Sequence, residues 1–491
     1  MTNQFIPNFI KKRASLTPNR EAIEFKGKTY TFSKLYDKSY QIAGQLSALG
    51  LKKGQYVGVL LNNHADTALI YVAFQLIGLR AVILNNRLTS AELAWQLKDS
   101  KAQFVVTEEE FSAKWHSIQE SLPNLKGIVK EELVGSAFIA PIVVDEVNLE
   151  DVCTVMYTSG TTGHPKGVLQ TYGNHWWSAV GSALNLGLSE KDCWLCAVPM
   201  FHISGYSILM RSLIYGMKIV ILDSFDEKNT IQRIHSEKVT IMSVVATMLQ
   251  RIVSELKDER LPVDFRCMLL GGGPAPKTLL EQCLTKQIPV FQTYGMTETA
   301  SQIVTLAPED SLKKLGSAGK PLFPSALKII NVNGREAEAN EAGEIFVKGP
   351  NVTSGYLNRK EETEKQFAGQ WFSTGDIGYV DEEGFLYVLD RRSDLIISGG
   401  ENIYPAEIEG VLVSHPAITD AGVIGMKDEQ WGEVPVAFVV TKDNNIQEEL
   451  IHYCQQHLAK YKVPKQISFL DVMPRNAAKK IMRKELRKLL D

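Results

Sequence analysis

The chain has 491 residues, of which 44% are hydrophobic and 22% charged, and its 53 Lys and Arg against 56 Asp and Glu leave a net charge of -3. This composition is typical of a globular protein and excludes a disordered, collagen-like or coiled-coil chain. A charge so close to neutrality gives no reason to expect a nucleic acid as partner. At roughly 150 residues per domain, the length predicts about three folding units.

The sequence has no signature of a membrane or secreted protein. The N-terminus lacks the long apolar segment of a secretory signal, and the apolar stretch 69–84 is interrupted by Gln75, Gly78 and Arg80. The six cysteines are scattered along the chain, unlike the dense framework of a small secreted domain. We therefore expect a cytoplasmic protein with no transmembrane segment; its oligomeric state stays open, a homo-oligomer included.

Strand and helix signals alternate over the first 314 residues. A hairpin is predicted over 21–30, followed by a helix with Ser33 as N-cap and Gly50 at its end. Short apolar runs between helices are typical of parallel strands covered on both faces, so we expect an α/β core. The predicted strands are 57–61, 81–84, 152–157, 194–198, 218–222, 240–244 and 266–270, with a helix over 65–78 after the first of them.

The pattern changes twice in the C-terminal third. Residues 315–389 show short strands and Gly/Asn/Asp turns, which favour a small antiparallel β subdomain, and residues after 390 have α+β character. We therefore predict a large N-terminal domain of parallel, αβ-layered sheets followed by a small, mobile α+β lid domain. The predicted limits are 1–390 for the first domain, divided into 1–155, 156–314 and 315–390, and 391–491 for the second.

The strongest local signal is the segment 157–167, YTSGTTGHPKG, directly after a predicted strand. Its hydroxyls and glycines suit a loop that approaches phosphate oxygens closely, and Lys166 adds a positive charge. The order differs from that of a P-loop ATPase, because no Gly-Lys-Ser/Thr follows a four-residue gap. Taken alone, the segment is compatible with either a phosphate-binding loop or a structural turn.

Three further segments contain the parts of a nucleotide site. The glycines of 271–276, GGGPAP, permit close packing against a flat ring. The segment 294–299, YGMTET, offers an aromatic ring, hydroxyls and a carboxylate, which suit a base, phosphate and Mg2+. The predicted turn at 371–376, WFSTGD, offers a carboxylate for ribose hydroxyls, and Arg391 adds donors nearby. Because these segments follow strands of one α/β sheet, we expect them to meet.

In this order, the motifs resemble those of acyl-adenylate-forming enzymes, which include acyl-CoA synthetases, peptide-synthetase adenylation domains and firefly luciferase. The resemblance rests on 157–167, FHIS at 201–204, 294–299, TGD at 374–376 and 390–409, and covers nearly the whole chain. It implies ATP, Mg2+ and coenzyme A in a cleft between a large and a small domain.

The resemblance also implies the nucleotide contacts, position by position. Those for pyrophosphate are Thr158, Ser159, Gly160, Thr161, Thr162 and Lys166; those for adenine are Gly272, Gly273 and Tyr294. Thr297 would touch the α-phosphate and Glu298 would bind Mg2+, while Asp376 and Arg391 would hold ribose.

The catalytic lysine of the family lies near the C-terminus, between a glycine and an isoleucine or leucine. The segment 474–483, PRNAAKKIMR, places Lys480 before an isoleucine, with Lys479 where the glycine is usual. The resemblance therefore implies that Lys480 bridges the carboxylate and the α-phosphate, with Lys479 as the alternative.

The second half-reaction implies a moving lid. The hinge position of the family is Ser393, where a serine can still pivot. Rotation of the small domain would bring the segment 398–402, SGGEN, to the tunnel of the CoA thiol, with Gly399 and Gly400 passed closely by the narrow ligand.

Four stretches further resemble the 2-succinylbenzoate–CoA ligases of menaquinone biosynthesis: QTYGNH at 170–175, MFHISG at 200–205, LGGGPAP at 270–276 and QTYGMTETASQIVT at 292–305. The acid of that family carries two carboxylates and a ketone, so its pocket must offer polar donors.

The candidates for substrate binding are His202, Ser204, Ser301 and Gln302. His202 matches the family residue that gates the acyl pocket and is also counted as a catalytic candidate, although a packed core histidine fits the same pattern. Ser301 and Gln302 fit the start of a helix equally well, and His175 is expected to be structural.

Other functions share these motifs. Another carboxylate–CoA ligase, for aryl or fatty acids, would keep every nucleotide contact, and so would a luciferase-like oxygenase. A stand-alone adenylation enzyme would load a carrier protein instead of CoA. A nucleotide-binding regulator without catalysis is disfavoured by the combination of Lys480, Glu298 and Asp376.

Overall fold

The computed structural model describes residues 4–133, 135–158, 165–272, 275, 277–331, 333–390, 396–403, 405–441, 446–474 and 481–490. Within these residues the chain forms two large sheets, a smaller C-terminal sheet and a two-stranded ribbon, Phe5–Pro7 with Glu146–Asn148. The predicted α/β class, with a large N-terminal part and a small C-terminal part, is confirmed.

The first large sheet has one antiparallel pair at its edge and is otherwise parallel. Its described strands, in spatial order, are Lys166–Thr171, Val152–Thr158, Arg80–Ile83, Tyr56–Val59, Phe104–Thr107 and Lys126–Val129. In the edge pair, Lys166 lies opposite Thr158. These two residues therefore lie side by side at the ends of their strands.

The second large sheet changes from antiparallel to parallel along its width. Its antiparallel half contains Ala326–Ile330, Gly343–Lys348, Trp371–Val380 with Phe367–Ala368 beside it, Leu386–Asp390, Ser317–Pro321 and Ser301–Leu306. The parallel half continues with Val290–Met296, Cys267–Leu270, Ile241–Val244, Cys193–Cys196, Lys218–Ile221 and Glu21–Phe25, and ends at the hairpin strand Lys28–Thr31. The strands after residue 315 are thus continuous with the central sheet rather than a separate layer.

Helices cover both faces of the parallel strands, which are apolar on both faces. On Cys193–Cys196, for example, Trp194 and Cys196 point into the core between the sheets, whereas Cys193 and Leu195 join the core on the opposite face. This alternation explains the continuous apolar run in the sequence and confirms that the cysteine pair belongs to the core.

The described helices occur in three groups. Between and around the sheets lie Phe9–Leu16, Phe32–Ala48, Ala65–Ile77, Ser90–Asp99, Ser112–Ser121, Lys130–Leu133, Tyr172–Leu186 and Ile203–Tyr215. The outer face of the second sheet carries Glu227–Ser236, Ala246–Glu255 and Lys277–Thr285, and Lys360–Gln366 follows later. The C-terminal part contains Pro405–Ser414, Gln447–His457 and Arg483–Arg487.

The C-terminal part has its own sheet and its own core. Its described strands are Glu401–Ile403, Ile396–Ser398, Gly432–Thr441 and Ile418–Asp428, with Gln466–Leu470 parallel to the third of them. Successive residues of Gly432–Thr441 enter the two cores on opposite faces of this sheet. The domain limits at 390 and 391 and the hinge remain predictions, because Ser393 lies outside the described residues.

Three local predictions are wrong. The N-cap of Phe32–Ala48 is Thr31 rather than Ser33, because the Thr31 hydroxyl accepts from the Lys34 amide. Asp376 lies within the strand Trp371–Val380 and not at a turn, since Gly375, with φ +73°, bends the strand without ending it. Tyr294 likewise belongs to the strand Val290–Met296 rather than to the loop that follows.

Among the described residues, no helix combines the length and the apolarity required to cross a membrane.

Candidate functional site

One cavity of about 340 Å³ lies where the ends of strands from the two large sheets meet the C-terminal part. The predicted site residues that line it are Thr158, Lys166, His202, Ser204, Gly272, Thr297, Glu298, Ser301, Gln302, Asp376 and Gly400. These residues are up to 242 positions apart in sequence (400 − 158) and meet only in the fold. The predicted convergence at the ends of the strands is therefore observed for these residues.

Several predicted site residues lie outside the described residues, and their roles stay predictions. They are Ser159, Gly160, Thr161, Thr162, Gly273, Arg391, Lys479 and Lys480.

Lys166 lines the cavity opposite Thr158 of the neighbouring strand. Its ammonium lies 2.8 Å from a carboxylate oxygen of Glu362 and 5.1 Å from the ring centre of Tyr356. The Lys166 side chain is 13% exposed. A positive charge of this burial needs an anionic partner, and it can serve either a carboxylate or a phosphate.

Glu298 is held by the segment that ends in Tyr356. The Tyr356 hydroxyl donates to Glu298 Oε1 at 3.1 Å, and the Thr353 amide donates to the Glu298 carbonyl at 2.7 Å. Gln170 Nε2 donates to the carbonyl of Thr297 at 2.8 Å, which anchors the preceding residue. One carboxylate beside a phosphate site fits Mg2+, which is bound in such sites by one or two carboxylates, phosphate oxygens and water.

Asp376 and Tyr294 form a buried pair. Tyr294 donates to Asp376 Oδ2 at 2.7 Å, and the two residues are 3% and 7% exposed. Asp376 lines the cavity, whereas Tyr294 is not among its lining residues and packs in the apolar cluster with Ile303 and Val304. A framing role of the Tyr294 ring thus stays a prediction, and the structure shows instead that its hydroxyl positions Asp376.

Three glycines at or beside the cavity adopt backbone conformations that other residues rarely reach. Gly272 has φ +88° and Gly400 has φ +86°, and both line the cavity. Gly399 has φ +56°, and a Cβ there would lie 2.8 Å from the Trp431 ring. The backbone can therefore approach a ligand closely at Gly272 and Gly400.

Arg211 is a site residue that the sequence analysis missed. It is 1% exposed, lines the cavity, donates from Nη2 to Ser301 Oγ at 3.2 Å and lies 5.0 Å from the Trp194 ring. Within the described residues, its Nε has no hydrogen-bond partner, and the groups that act on its charge are Tyr215 and Cys267 rather than a carboxylate. Burial lowers the pKa of Arg211 from its ordinary value. A buried cation that has hydroxyls and a ring but no carboxylate beside it among the described residues favours the binding of an anion.

A signal for Arg211 was present in the sequence. The helix Ile203–Tyr215 is otherwise apolar or small, and Arg211 is seven residues after Ser204, which places both on one helix face. Of the predicted pair beside it, Ser301 and Gln302 begin a strand, so the alternative in which they begin a helix is wrong. Gln302 Nε2 donates to Ser182 at 3.4 Å, and its Oε1 has no partner among the described residues.

His202 connects the cavity with the C-terminal part. Its Nε2 lies 3.1 Å from Glu401 Oε2, and the other oxygen of Glu401 pairs with Arg87. Burial raises the pKa of Glu401, but the charges of His202 and Arg87 outweigh it and hold that pKa below its ordinary value. His202 is 36% exposed at its side chain and is therefore not a packed core residue.

A second ion-pair group also joins the two parts of the chain. Lys462 Nζ lies 2.9 Å from Glu92 and 2.7 Å from Glu407, and all three are at most 11% exposed at their side chains. Burial opposes the charge of Lys462, but Glu407 and Glu92 raise its pKa above the ordinary value. Burial also opposes the charge of Glu407 and raises the pKa of that carboxylate above its ordinary value.

Two large α/β sheets and a C-terminal part with its own sheet meet at one cavity lined by cations, carboxylates and glycines with positive φ, an arrangement suited to a nucleotide. Residues 10–357 match the AMP-binding enzyme family, and residues 407–480 match the AMP-binding enzyme C-terminal domain. The chain belongs to the AMP-binding enzyme family.

The chain is 56% identical to the 2-succinylbenzoate–CoA ligase of Geobacillus kaustophilus, over 99% of this chain and 98% of that one. Among solved structures, it is similar to a double mutant of o-succinylbenzoate CoA synthetase from Bacillus subtilis bound with the product analogue OSB-NCoA. That similarity has a TM-score of 0.94 and 48% identity over 99% and 98% of the two chains. The complex of the Bacillus subtilis enzyme with ATP and magnesium ion, also 48% identical over 99% and 100%, has a TM-score of 0.78.

Proposed function

We propose that the chain is an acid–thiol ligase that converts 2-succinylbenzoate, ATP and CoA to 2-succinylbenzoyl-CoA, AMP and pyrophosphate through an acyl-adenylate. Membership of the AMP-binding enzyme family and the 56% identity over nearly the whole chain support this reaction. We place this reaction in menaquinone biosynthesis, the pathway of the ligases that the chain resembles.

The observation that carries the choice of acid is the buried charge of Arg211. 2-Succinylbenzoate keeps one carboxylate when the other is activated, and Arg211, with Ser301 beside it, offers that carboxylate a cation and a hydroxyl in the cavity. A fatty acid would leave the guanidinium buried and unpaired, which is costly. We therefore assign the acyl end of the cavity to Arg211, Ser204, Ser301, Gln302 and His202.

In the first half-reaction, a carboxylate oxygen bonds to the α-phosphorus of ATP and pyrophosphate leaves. The barrier is largely electrostatic, because one anion approaches another. We assign Thr158 and Lys166 to the departing pyrophosphate, Thr297 to the α-phosphate, and Asp376 to ribose. Mg2+, bound at Glu298, would neutralise phosphate charge.

In the second half-reaction, the thiol sulfur of CoA bonds to the acyl carbon, AMP leaves and the thiol proton is released. The described arrangement suits this step, because Gly400 and Glu401 stand at the cavity beside His202. The higher TM-score against the product-analogue complex than against the ATP complex, at equal identity, supports this assignment. We propose that Glu401 holds His202 in place and that the thiol arm of CoA passes along Gly399 and Gly400.

We retain Lys480 as the residue that bridges the carboxylate and the α-phosphate. Lys480→Ala should then abolish acid-dependent pyrophosphate exchange into ATP, while thioester formation from supplied acyl-adenylate persists. Loss of one such donor costs roughly 2.7–4 kcal/mol of transition-state stabilisation. The matched variant is Lys479→Ala; if it alone loses the exchange, the catalytic role belongs to Lys479.

The test of the acid is a panel of carboxylic acids with ATP, Mg2+ and CoA, scored for AMP release. We expect 2-succinylbenzoate to have the highest kcat/KM, ahead of benzoate, palmitate and acetate. A preference for palmitate or acetate would overturn the substrate assignment and leave the adenylation chemistry intact.

We further propose that the reaction takes place in the cytoplasm. The six cysteines are all buried and unpaired, as expected in a reducing compartment. Burial raises the pKa of the Cys193 and Cys196 thiols to about 12, so these thiols are unreactive.

A further inference from the structure

We propose that Glu362 is a built-in competitor of pyrophosphate: its carboxylate takes the Lys166 ammonium when the phosphates leave, and thereby favours pyrophosphate release. The inference deepens the proposed function and rests on its assignment of Lys166 to pyrophosphate.

The contact itself is short and sheltered. Lys166 Nζ lies 2.8 Å from Glu362 Oε2, and the two side chains are 13% and 33% exposed. The Tyr356 ring covers the ammonium at 5.1 Å, and the Tyr356 hydroxyl reaches Glu298. Glu362 therefore acts on a lysine that lies in the same wall of the cavity as the candidate magnesium ligand.

Glu362 is positioned by its neighbours rather than left as a mobile surface group. It lies in the first turn of the helix Lys360–Gln366, and its other oxygen is 3.7 Å from Arg359 Nε. Arg359 is itself fixed, because its Nη2 lies 2.8 Å from Asp99 Oδ1 and the neighbouring Asn358 donates to the Asp99 carbonyl at 2.8 Å. Asp99 in turn accepts from the Tyr157 hydroxyl at 2.8 Å.

This chain of contacts connects Glu362 to Tyr157, which directly precedes Thr158 in the strand that carries the phosphate side of the cavity. The carboxylate is thus held at a set distance from Lys166 by groups on the first sheet and the helix before it. A carboxylate held in this way remains next to Lys166 whether or not a phosphate is bound.

The competition follows from charge. The Lys166 ammonium carries one positive charge. Pyrophosphate and the Glu362 carboxylate are both anions, and both are attracted to this charge at close range. When pyrophosphate is bound, the Glu362 carboxylate repels it. When pyrophosphate has left, the same carboxylate pairs with the largely buried ammonium of Lys166. Both effects favour the released state. If Glu362 merely oriented Lys166 toward phosphate, its removal would weaken phosphate binding, so the two roles predict opposite signs.

The test is the variant Glu362→Gln, which keeps the side-chain shape and removes the charge. We expect magnesium pyrophosphate to bind roughly fivefold more tightly by calorimetry, the factor contributed by an ion pair of this exposure, and to inhibit the forward reaction correspondingly more strongly. Glu364→Gln is the matched control on the same helix, where Glu364 is 65% exposed and lies 3.9 Å from Lys360. Unchanged or weaker pyrophosphate binding in Glu362→Gln would overturn the proposal.

The double variant Lys166→Met/Glu362→Gln tests whether the effect of Glu362 on pyrophosphate binding depends on Lys166. The gain caused by Glu362→Gln should vanish when Lys166 is absent, and thermal unfolding verifies that each variant is folded. A gain that persists without Lys166 would contradict the proposal. Because these titrations contain no carboxylic acid, an error in the proposed acid leaves them unaffected, whereas pyrophosphate affinity unchanged by Lys166→Met alone would overturn the assignment on which the inference rests.

Discussion

At the scale of single residues, the described part of the cavity contains one buried cation with no carboxylate beside it. This cation is Arg211, to which the described residues offer the hydroxyls of Ser301 and Tyr215. Because desolvation of a charge is costly, such a residue is retained where a ligand completes the pair. The opposite case is His175, which burial keeps neutral.

Arg211→Met should raise the KM for 2-succinylbenzoate and lower kcat/KM roughly 100-fold, about 3 kcal/mol, because the second carboxylate loses its charged partner. Steady-state kinetics with 4-oxo-4-phenylbutanoate, which lacks the ring carboxylate, provides the control. The variant and the wild type should differ little with that acid. An equal loss with both acids would show that Arg211 acts on the fold and not on the carboxylate.

His175 should make the protein less stable in mild acid. Burial lowers the pKa of His175 from 6.5 to about 3. Between these two pH values, His175 is therefore protonated in the unfolded chain but neutral in the folded chain. The stability contributed by the neutral ring is present above pH 6.5 and is lost as the pH falls toward 3. Between pH 7 and pH 5, the free energy of unfolding should fall by about 2 kcal/mol more in the wild type than in His175→Gln.

Urea denaturation at the two pH values measures this difference. His116→Gln is the matched control, because the His116 side chain is 78% exposed. A wild-type pH dependence equal to that of His175→Gln would contradict the assignment of a neutral buried ring.

At the scale of elements, the helix Tyr172–Leu186 fixes the loop that carries Glu298. Asn174 closes a capping box with Thr171 and donates from Nδ2 to the carbonyls of Pro350 and Val352 at 3.0 and 2.8 Å. Ser178 of the same helix donates to the Ala300 carbonyl at 2.6 Å. One helix thus orders both the segment before Tyr356 and the turn after Glu298.

Asn174→Ala should lower the free energy of unfolding by about 3 kcal/mol, because it removes the cap and leaves two buried carbonyls without donors. It should also raise the concentration of Mg2+ and ATP needed for half-maximal activity. Denaturation and steady-state assays measure the two effects. Asn185→Ala, at an exposed position of the same helix, should change neither, and a similar loss there would refute a specific role of Asn174.

At the scale of the whole molecule, two ion-pair groups, each with a buried carboxylate, hold the C-terminal part against the large sheets. Glu401 binds His202 and Arg87, and Lys462 binds Glu92 and Glu407. Buried charges of this kind discriminate between arrangements, because a shift of a few ångströms leaves them unpaired. This arrangement is the one that we propose for thioester formation.

Lys462→Met should slow thioester formation while acid-dependent pyrophosphate exchange is largely kept. The substitution leaves Glu92 and Glu407 buried without a cation, at a cost of about 3 kcal/mol to this arrangement, roughly 100-fold in rate if the arrangement limits the step. Rapid-quench assays of the two half-reactions measure the split. Lys465→Met is the control, since Lys465 is 57% exposed and pairs with Asp428 within the C-terminal part; equal losses in both half-reactions would contradict the prediction.

The sequence predicted much of the fold and a large share of the site, for a local reason. Gly272, Thr297 and Glu298 lie in segments directly after apolar strands, so pattern and spacing sufficed to find them. Arg211 and Glu362 were missed because each lies inside a helix, where only neighbours from other elements show whether the side chain faces a cavity. Tyr294 and Asp376 were placed in loops because irregular strands with inserted glycines look like turns in sequence.

The sequence by itself determined the class of fold, the order of the motifs and the chemistry that they offer, because strand periodicity, turn residues and phosphate-binding loops are all encoded within short segments. Only the tertiary structure decided which charges stay unpaired in the cavity, which carboxylate holds Lys166, and how the C-terminal part docks. These depend on residues hundreds of positions apart, whose energies are set by mutual distance and by the loss of solvent, and neither quantity exists before the chain has folded.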